Sequence, residues 1–160
     1  MQENNDIRPE DELKALTLTQ PWASLVALRE KTIETRSWYT SYRGDLVIHA
    51  AKGFPSDAQE LCRFPDFAKA LHGQTAKELP LSKGLCVVRV LACIKTTELH
   101  KVHGVLGYMP TAQEMRFGNY EPGRFAWVLQ YLRPIDDGEP VRGFQRLWNW
   151  PASANDRVAA

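Results

Sequence analysis

The chain has almost no net charge, no long apolar run and no cysteine framework, and each lack excludes a class of protein. Twenty basic and 19 acidic side chains among 160 residues leave a formal charge of +1. Such a balance exerts no global pull on nucleic acid, so a nucleic-acid partner must be held by a local patch. No apolar stretch approaches the ~20 residues of a membrane span. The polar start MQENNDIRPEDE also lacks the apolar region of a signal peptide. These features predict a cytoplasmic protein with no membrane partner. Cys62, Cys86 and Cys93 are odd in number and show no CxxC spacing, which reads as free thiols in a reducing compartment. Cys86 and Cys93 fall at an odd separation within one expected strand, hence on opposite faces.

The familiar phosphate and nucleophile signatures are missing as well. There is no GxGxxG, no Walker-type loop and no GxSxG elbow. His100 and His103 form an HxxH pair, but no cysteine or carboxylate framework accompanies them, so neither a metal nor a cofactor is expected. His49 lies inside an apolar stretch and reads as a core or rim histidine with its hydrogen bonds satisfied. No repeat and no low-complexity segment divides the chain. One domain is expected over 14–150, between flexible tails at 1–13 and 151–160.

What is present suits a globular fold, with 44% hydrophobic and 24% charged residues. Strands are expected at Lys14 to Thr19, Thr32 to Thr35, Asp45 to Ala51, Gly84 to Thr96, Arg124 to Leu132 and Phe144 to Trp150. In the fourth, Val88, Val90, Ala92 and Ile94 alternate with Leu85, Val87, Leu91 and Cys93, predicting a strand covered on both faces. Trp148 and Trp150, two apart, share a face. A helix is expected from Pro21 to Arg29-Glu30, with Trp22, Leu25, Val26 and Leu28 on its apolar side. Two more are expected around Ser56 to His72, split by Pro65, and from Thr111 to Phe117. Pro134 to Pro140 reads as a turn. With about five or six strands, two or three inserted helices and no βαβ rhythm, the fold class is mixed α+β, a small β-barrel.

The chemistry concentrates between the first helix and the third strand, in Lys31-Thr-Ile-Glu34-Thr-Arg36-Ser-Trp38-Tyr39 and Tyr42-Arg43-Gly44. If 32–36 is extended, Glu34 and Arg36 share a face, and Glu34 can fix Arg36 or Lys31 as an ion pair. A cation is then free to meet a phosphate, and a buried lysine beside a carboxylate can exchange protons. The plainer reading is a solvated edge strand with paired charges. Trp38, Tyr39, Tyr42 and Arg43 interleave rings with a guanidinium, as in a stacking platform for unpaired bases. The plainer reading there is that Trp38 and Tyr42 cover the end of the barrel.

The ordered set LTLTQPWASLV, KTIETRSW, YRGDLVIHAAK, GRFAWVL and GFQRLW resembles the ASCH domain (activating signal cointegrator homology), of the PUA-like superfamily of small β-barrels. The resemblance spans about residues 14 to 150. It implies a cleft between barrel and first helix that accepts RNA or a nucleotide, with Lys31, Glu34 and Arg36 filling the family's charged motif. Where family members carry Gly before the lysine, this chain has Glu30. Some small relatives hydrolyse N4-acetylcytidine with that lysine, a threonine three residues on and a distant glutamate. Lys31 matches, but Glu34 stands in the threonine's place. Ribonuclease activity is attributed to other members. The leading expectation is therefore an RNA- or nucleotide-binding module, its partner a single-stranded RNA or a modified nucleoside. Its cleft is formed by Lys31, Glu34, Arg36, Trp38, Tyr39, Tyr42 and Arg43. The alternatives are a hydrolase using Lys31 and Glu34, acting on RNA or an acylated nucleoside, and a protein-interaction module anchored on Trp38 to Tyr42.

Overall fold

A computed structural model describes residues 13–135 and 139–151. Most of both expected tails, and the centre of the turn expected over Pro134 to Pro140, lie outside these residues. Leu13 belongs to the packed domain, since it is buried and its carbonyl accepts from the Trp150 N–H at 2.8 Å.

Six strands form one mixed sheet: β1 (Lys14–Leu18), β2 (Ile33–Arg36), β3 (Asp45–Ala50), β4 (Gly84–Lys95), β5 (Phe125–Pro134) and β6 (Leu147–Asn149). Their spatial order is β2-β5-β4-β3-β1-β6, with β1 and β3 parallel and every other pair antiparallel. The sheet curls into a half-barrel, so the architecture is mixed α+β. Leu16, Leu18, Leu46, Ile48, Val88, Val90 and Trp127 fill its main core, with α1 (Trp22–Ala27) contributing Ala23 and Val26. The other side of α1 presents Leu25 to a second cluster. That cluster is built by α2 (Ser56–Leu61), α3 (Pro65–Ala70) and Phe117, which follows α5 (Ala112–Arg116). A helix buried on two sides needs apolar residues around most of its circumference, as WASLVA has.

Two local devices set the entry and exit of α1. Gln20 is buried and its carbonyl oxygen accepts from the Ser24 N–H at 3.0 Å, while its amide donates to the Pro80 carbonyl at 2.8 Å. One side chain thus satisfies a helix-end donor and ties it to the loop before β4. At the exit the expected glycine is absent, yet the left-handed turn forms: Arg29 adopts φ +64°. The Glu30 N–H bonds to the Leu25 carbonyl at 2.9 Å and the Arg29 N–H to the Val26 carbonyl at 3.0 Å, the paired bonds of a Schellman motif. The guanidinium of Arg29 lies 4.1 Å from the Tyr131 ring centroid, a contact that helps hold a non-glycine residue in that conformation.

Strand β4 departs from simple alternation. Its register against β5 shifts between Val90 and Ala92, a bulge that exchanges the faces beyond it. Val88 and Val90 therefore point into the main core, whereas Ala92 and Ile94 join a separate cluster with Ile33, Val102 and Val128. The same shift places Cys86 and Cys93 against the same core rather than on opposite faces. All three cysteines are free, and burial pushes the Cys86 thiol up to about 12. The region between β4 and β5 is more helical than its composition suggests: a 3-10 turn (Thr96–Lys101) runs into α4 (Val102–Leu106), and α5 follows. Trp148 and Trp150 share one face, as expected.

Candidate nucleic-acid interface

The open end of the half-barrel faces the helical cluster across a cleft of about 490 Å³, within the usual range for small-ligand sites. One wall is the end of β1 with β2: Thr17, Leu18, Thr19, Glu34, Thr35 and Arg36. Trp22, Leu61 and Phe67 form its apolar floor, and Arg116 to Asn119 with Arg124 form the facing wall. Among the lining residues three guanidiniums meet one carboxylate, with Asp66 paired to Arg116 from outside the lining, so the cleft has a local excess of positive charge in a chain of net charge +1.

Each guanidinium is anchored on oxygen. Arg36 donates through Nη2 to the Thr17 carbonyl at 2.9 Å and lies 3.7 Å from the Glu34 carboxylate. Arg124 donates to the carbonyls of Asn119 and Thr35, both at 3.1 Å. Arg116 donates to Asp66 at 2.9 Å. Anchoring through part of the donor fork leaves a guanidinium pre-positioned to offer its other N–H groups to a phosphate or carbonyl. Glu34 is buried. Its Oε1 accepts from the Thr35 N–H at 2.9 Å, and its Oε2 faces Arg36.

Lys31 lies elsewhere. Its ammonium is fully buried, 3.9 Å from Glu114 of α5, and it donates to the Ile33 carbonyl. Glu114 also accepts from the Thr32 and Ile33 N–H groups at 2.9 and 3.0 Å and from the Thr32 hydroxyl at 3.1 Å. This carboxylate, 83 residues beyond Lys31 in sequence, locks the start of β2 onto α5 and so sets the distance between the cleft's two walls. The Tyr120 hydroxyl is buried with no hydrogen-bond partner among the described residues. Burial, together with the Glu114 and Glu34 carboxylates, pushes its phenol upward.

The aromatic segment also divides. Trp38 packs edge to face on Trp127 at 4.7 Å and contacts the main core, with the Arg146 guanidinium 4.9 Å from its ring. Tyr42 packs on the core too and donates its hydroxyl to the Asp45 carbonyl. Arg43 turns back to the carbonyls of Thr40 and Tyr42, each at 2.9 Å. Tyr39 is exposed against Phe125. Of the seven expected site residues the structure brings only Glu34 and Arg36 into the cleft. Arg116, Asn119 and Arg124 join them from segments 80 or more residues away, a separation that spacing rules within one stretch do not reach. His100 and His103 are exposed, and no cluster of His, Cys, Asp and Glu fit for a metal ion occurs among the described residues. Among those residues no helix is long and apolar enough to cross a membrane.

His49 is held neutral behind the Thr17 wall. Its Nε2–H donates to the Val141 carbonyl at 2.7 Å, and its Nδ1 accepts from the Thr17 hydroxyl at 3.1 Å. That hydroxyl in turn accepts from Trp148 Nε1 at 3.1 Å. Burial lowers the His49 pKa, outweighing the backbone acceptors that would raise it.

The chain is 42% identical over 136 residues to activating signal cointegrator 1 of Mus musculus, and equally to that of Homo sapiens. The aligned part covers 83% of this chain and 21% of each relative, so the chain spans about a fifth of their length. Among solved structures, an ASCH protein of Zymomonas mobilis aligns over 93% of this chain and 94% of its own, at 13% identity and a TM-score of 0.46. The profile of the ASCH domain matches residues 16–138, most of the sequence. The chain belongs to the ASCH domain family.

Proposed function

We propose that this domain binds single-stranded RNA or a nucleotide in the cleft between β1–β2 and the helical wall. The observation that carries the reading is the convergence of Arg36, Arg116 and Arg124, each anchored on a protein oxygen, around a cavity of about 490 Å³ in a chain whose net charge is only +1. In this reading the three arginines meet phosphates, Trp22 and Phe117 supply apolar contact for a base, and Glu34 orients Arg36 or accepts from a base edge. The KxxExR motif then splits its labour. Glu34 and Arg36 contact ligand, while Lys31 positions β2 from behind.

The burial of the Lys31 ammonium against Glu114 favours binding over turnover, because a proton-transferring group must come within hydrogen-bond reach of its substrate. Hydrolysis of an acylated nucleoside or of RNA is the weaker reading on this geometry. Three free thiols fit a cytoplasmic setting.

The test is affinity for single-stranded RNA across ~50 to ~200 mM salt, with a steep decline expected if several phosphates are contacted. Arg124→Gln should weaken binding for all sequences alike and shallow that slope. Affinity indifferent to salt and to Arg124→Gln would refute the proposal. Turnover of N4-acetylcytidine by the wild-type chain, lost in Lys31→Met, would favour the hydrolase instead.

A further inference from the structure

Beyond the cleft, on the other side of Thr17, the geometry points to a second nucleotide subsite. There Phe144 stacks an unpaired base, and Lys52 and Arg142 meet the adjoining phosphates. This inference rests on the binding of single-stranded nucleic acid proposed above, and it extends the bound strand past the cleft.

The site is a hollow of about 710 Å³ between the end of β3 and the loop leading to β6. Its lining includes Lys52 and Arg142 and no carboxylate, so this hollow too has a local excess of positive charge. Phe144 is 55% exposed, one of the most open large apolar side chains among the described residues. Its ring is nonetheless held, edge to face on Trp148 at 5.6 Å, with the Arg142 guanidinium 5.3 Å from its centroid. A half-exposed ring seated against Trp148, with one guanidinium over it, has the form of a stacking platform, which takes any base because every base offers a π-face.

The loop that carries Phe144 is clamped in place. The Val141 N–H donates to the Ser82 carbonyl at 2.7 Å, and the Val141 carbonyl accepts from His49 at 2.7 Å. Gly143 then passes so close that a Cβ there would lie 2.7 Å from the Thr17 hydroxyl and 2.9 Å from the His49 ring. Only glycine permits this approach, and the approach is what sets Phe144 beside Arg142 over the hollow. Thr17 lines both cavities and lends its carbonyl to Arg36. The two positive hollows therefore adjoin across one residue, as consecutive stations on a strand would require.

The experiment compares a uridine dinucleotide with a uridine octanucleotide, titrated by fluorescence anisotropy against the full chain and its variants. Wild type should bind the octamer more tightly. Phe144→Leu, which keeps an apolar contact with Trp148, should weaken octamer binding roughly tenfold and leave the dinucleotide, held by the cleft arginines, unchanged. Phe144→Trp should retain the octamer affinity. Lys52→Gln with Arg142→Gln should lower the octamer's salt slope by roughly one to two. Octamer affinity identical in wild type and Phe144→Leu would overturn the subsite while leaving the cleft standing, and would turn attention to this surface as a protein contact. Failure of wild type to bind either probe would overturn both readings.

Discussion

Arg36, on the outermost strand β2, donates to the carbonyl of Thr17 on β1 at 2.9 Å. These strands stand at opposite ends of the sheet order, with only β6 beyond β1, and β6 pairs β1 no further than Leu16. The bond thus spans the seam of the half-barrel at the point where backbone pairing has stopped. One side chain closes the barrel and faces the cleft, coupling the geometry of the binding wall to the curl of the sheet.

Arg36→Ala should therefore affect both stability and binding. Losing a charged hydrogen bond of this kind costs about 1.5–3 kcal/mol, discounted toward the lower end because the side chain is partly open. Arg36→Lys keeps the charge but not the fork, and should recover RNA affinity better than stability. Urea denaturation of the three proteins, paired with RNA titrations, checks the order.

The Lys31–Glu114 pair should behave asymmetrically. Glu114→Ala strands a buried ammonium and removes the acceptor of three further hydrogen bonds, whereas Lys31→Met leaves Glu114 those three donors. Breaking a buried pair costs about 3–5 kcal/mol when a charge is left without a partner, so Glu114→Ala should fall in that range and Lys31→Met well below it. Equal losses in chemical denaturation would contradict the proposed division of roles.

His49 makes stability depend on pH in a defined direction. Its folded pKa lies below the ordinary value of 6.5, so below that pH the unfolded chain binds the extra proton more readily than the folded one. Its contribution is complete above pH ~6.5 and is lost as pH falls toward the folded pKa. Melting temperatures between pH ~5 and ~7.5 should decline on the acid side in wild type and decline less in His49→Gln.

Gly143→Ala tests the clamp over Thr17. The added methyl must displace either the loop or the Thr17–His49 pair, an overpacking that costs about 1–3 kcal/mol. Thermal melts should show the loss, and near-ultraviolet dichroism should show changed surroundings for Trp148, whose indole N–H bonds to the same Thr17 hydroxyl.

The strand positions, the shared face of Trp148 in β6 and Trp150 just after it, and the mixed α+β class were legible in sequence because each follows from a local period or a turn residue. The same local reading put Ala92 and Ile94 on one face with Val88 and Val90 and missed the bulge at Leu91, since one inserted residue reverses every face beyond it without altering composition. It also missed that Arg29 would supply the left-handed turn, because the compensating contact with Tyr131 lies about a hundred residues away.

The same division holds for the Lys31–Arg43 stretch. Its sequence alone determined that cations, a carboxylate and rings would gather between α1 and β3, and the two-residue spacing on an extended strand put Glu34 and Arg36 on one face while leaving Arg36 or Lys31 as the carboxylate's partner. Only the tertiary structure decided which of them meet a ligand-sized space. Trp38 and Tyr42 are drawn onto the core because apolar area leaves water wherever the fold permits. Lys31 is drawn inward because α5 delivers a buried carboxylate to it. The arginines that complete the cleft come from Arg116 and Arg124, brought there by chain closure across a sheet whose neighbours are not neighbours in sequence.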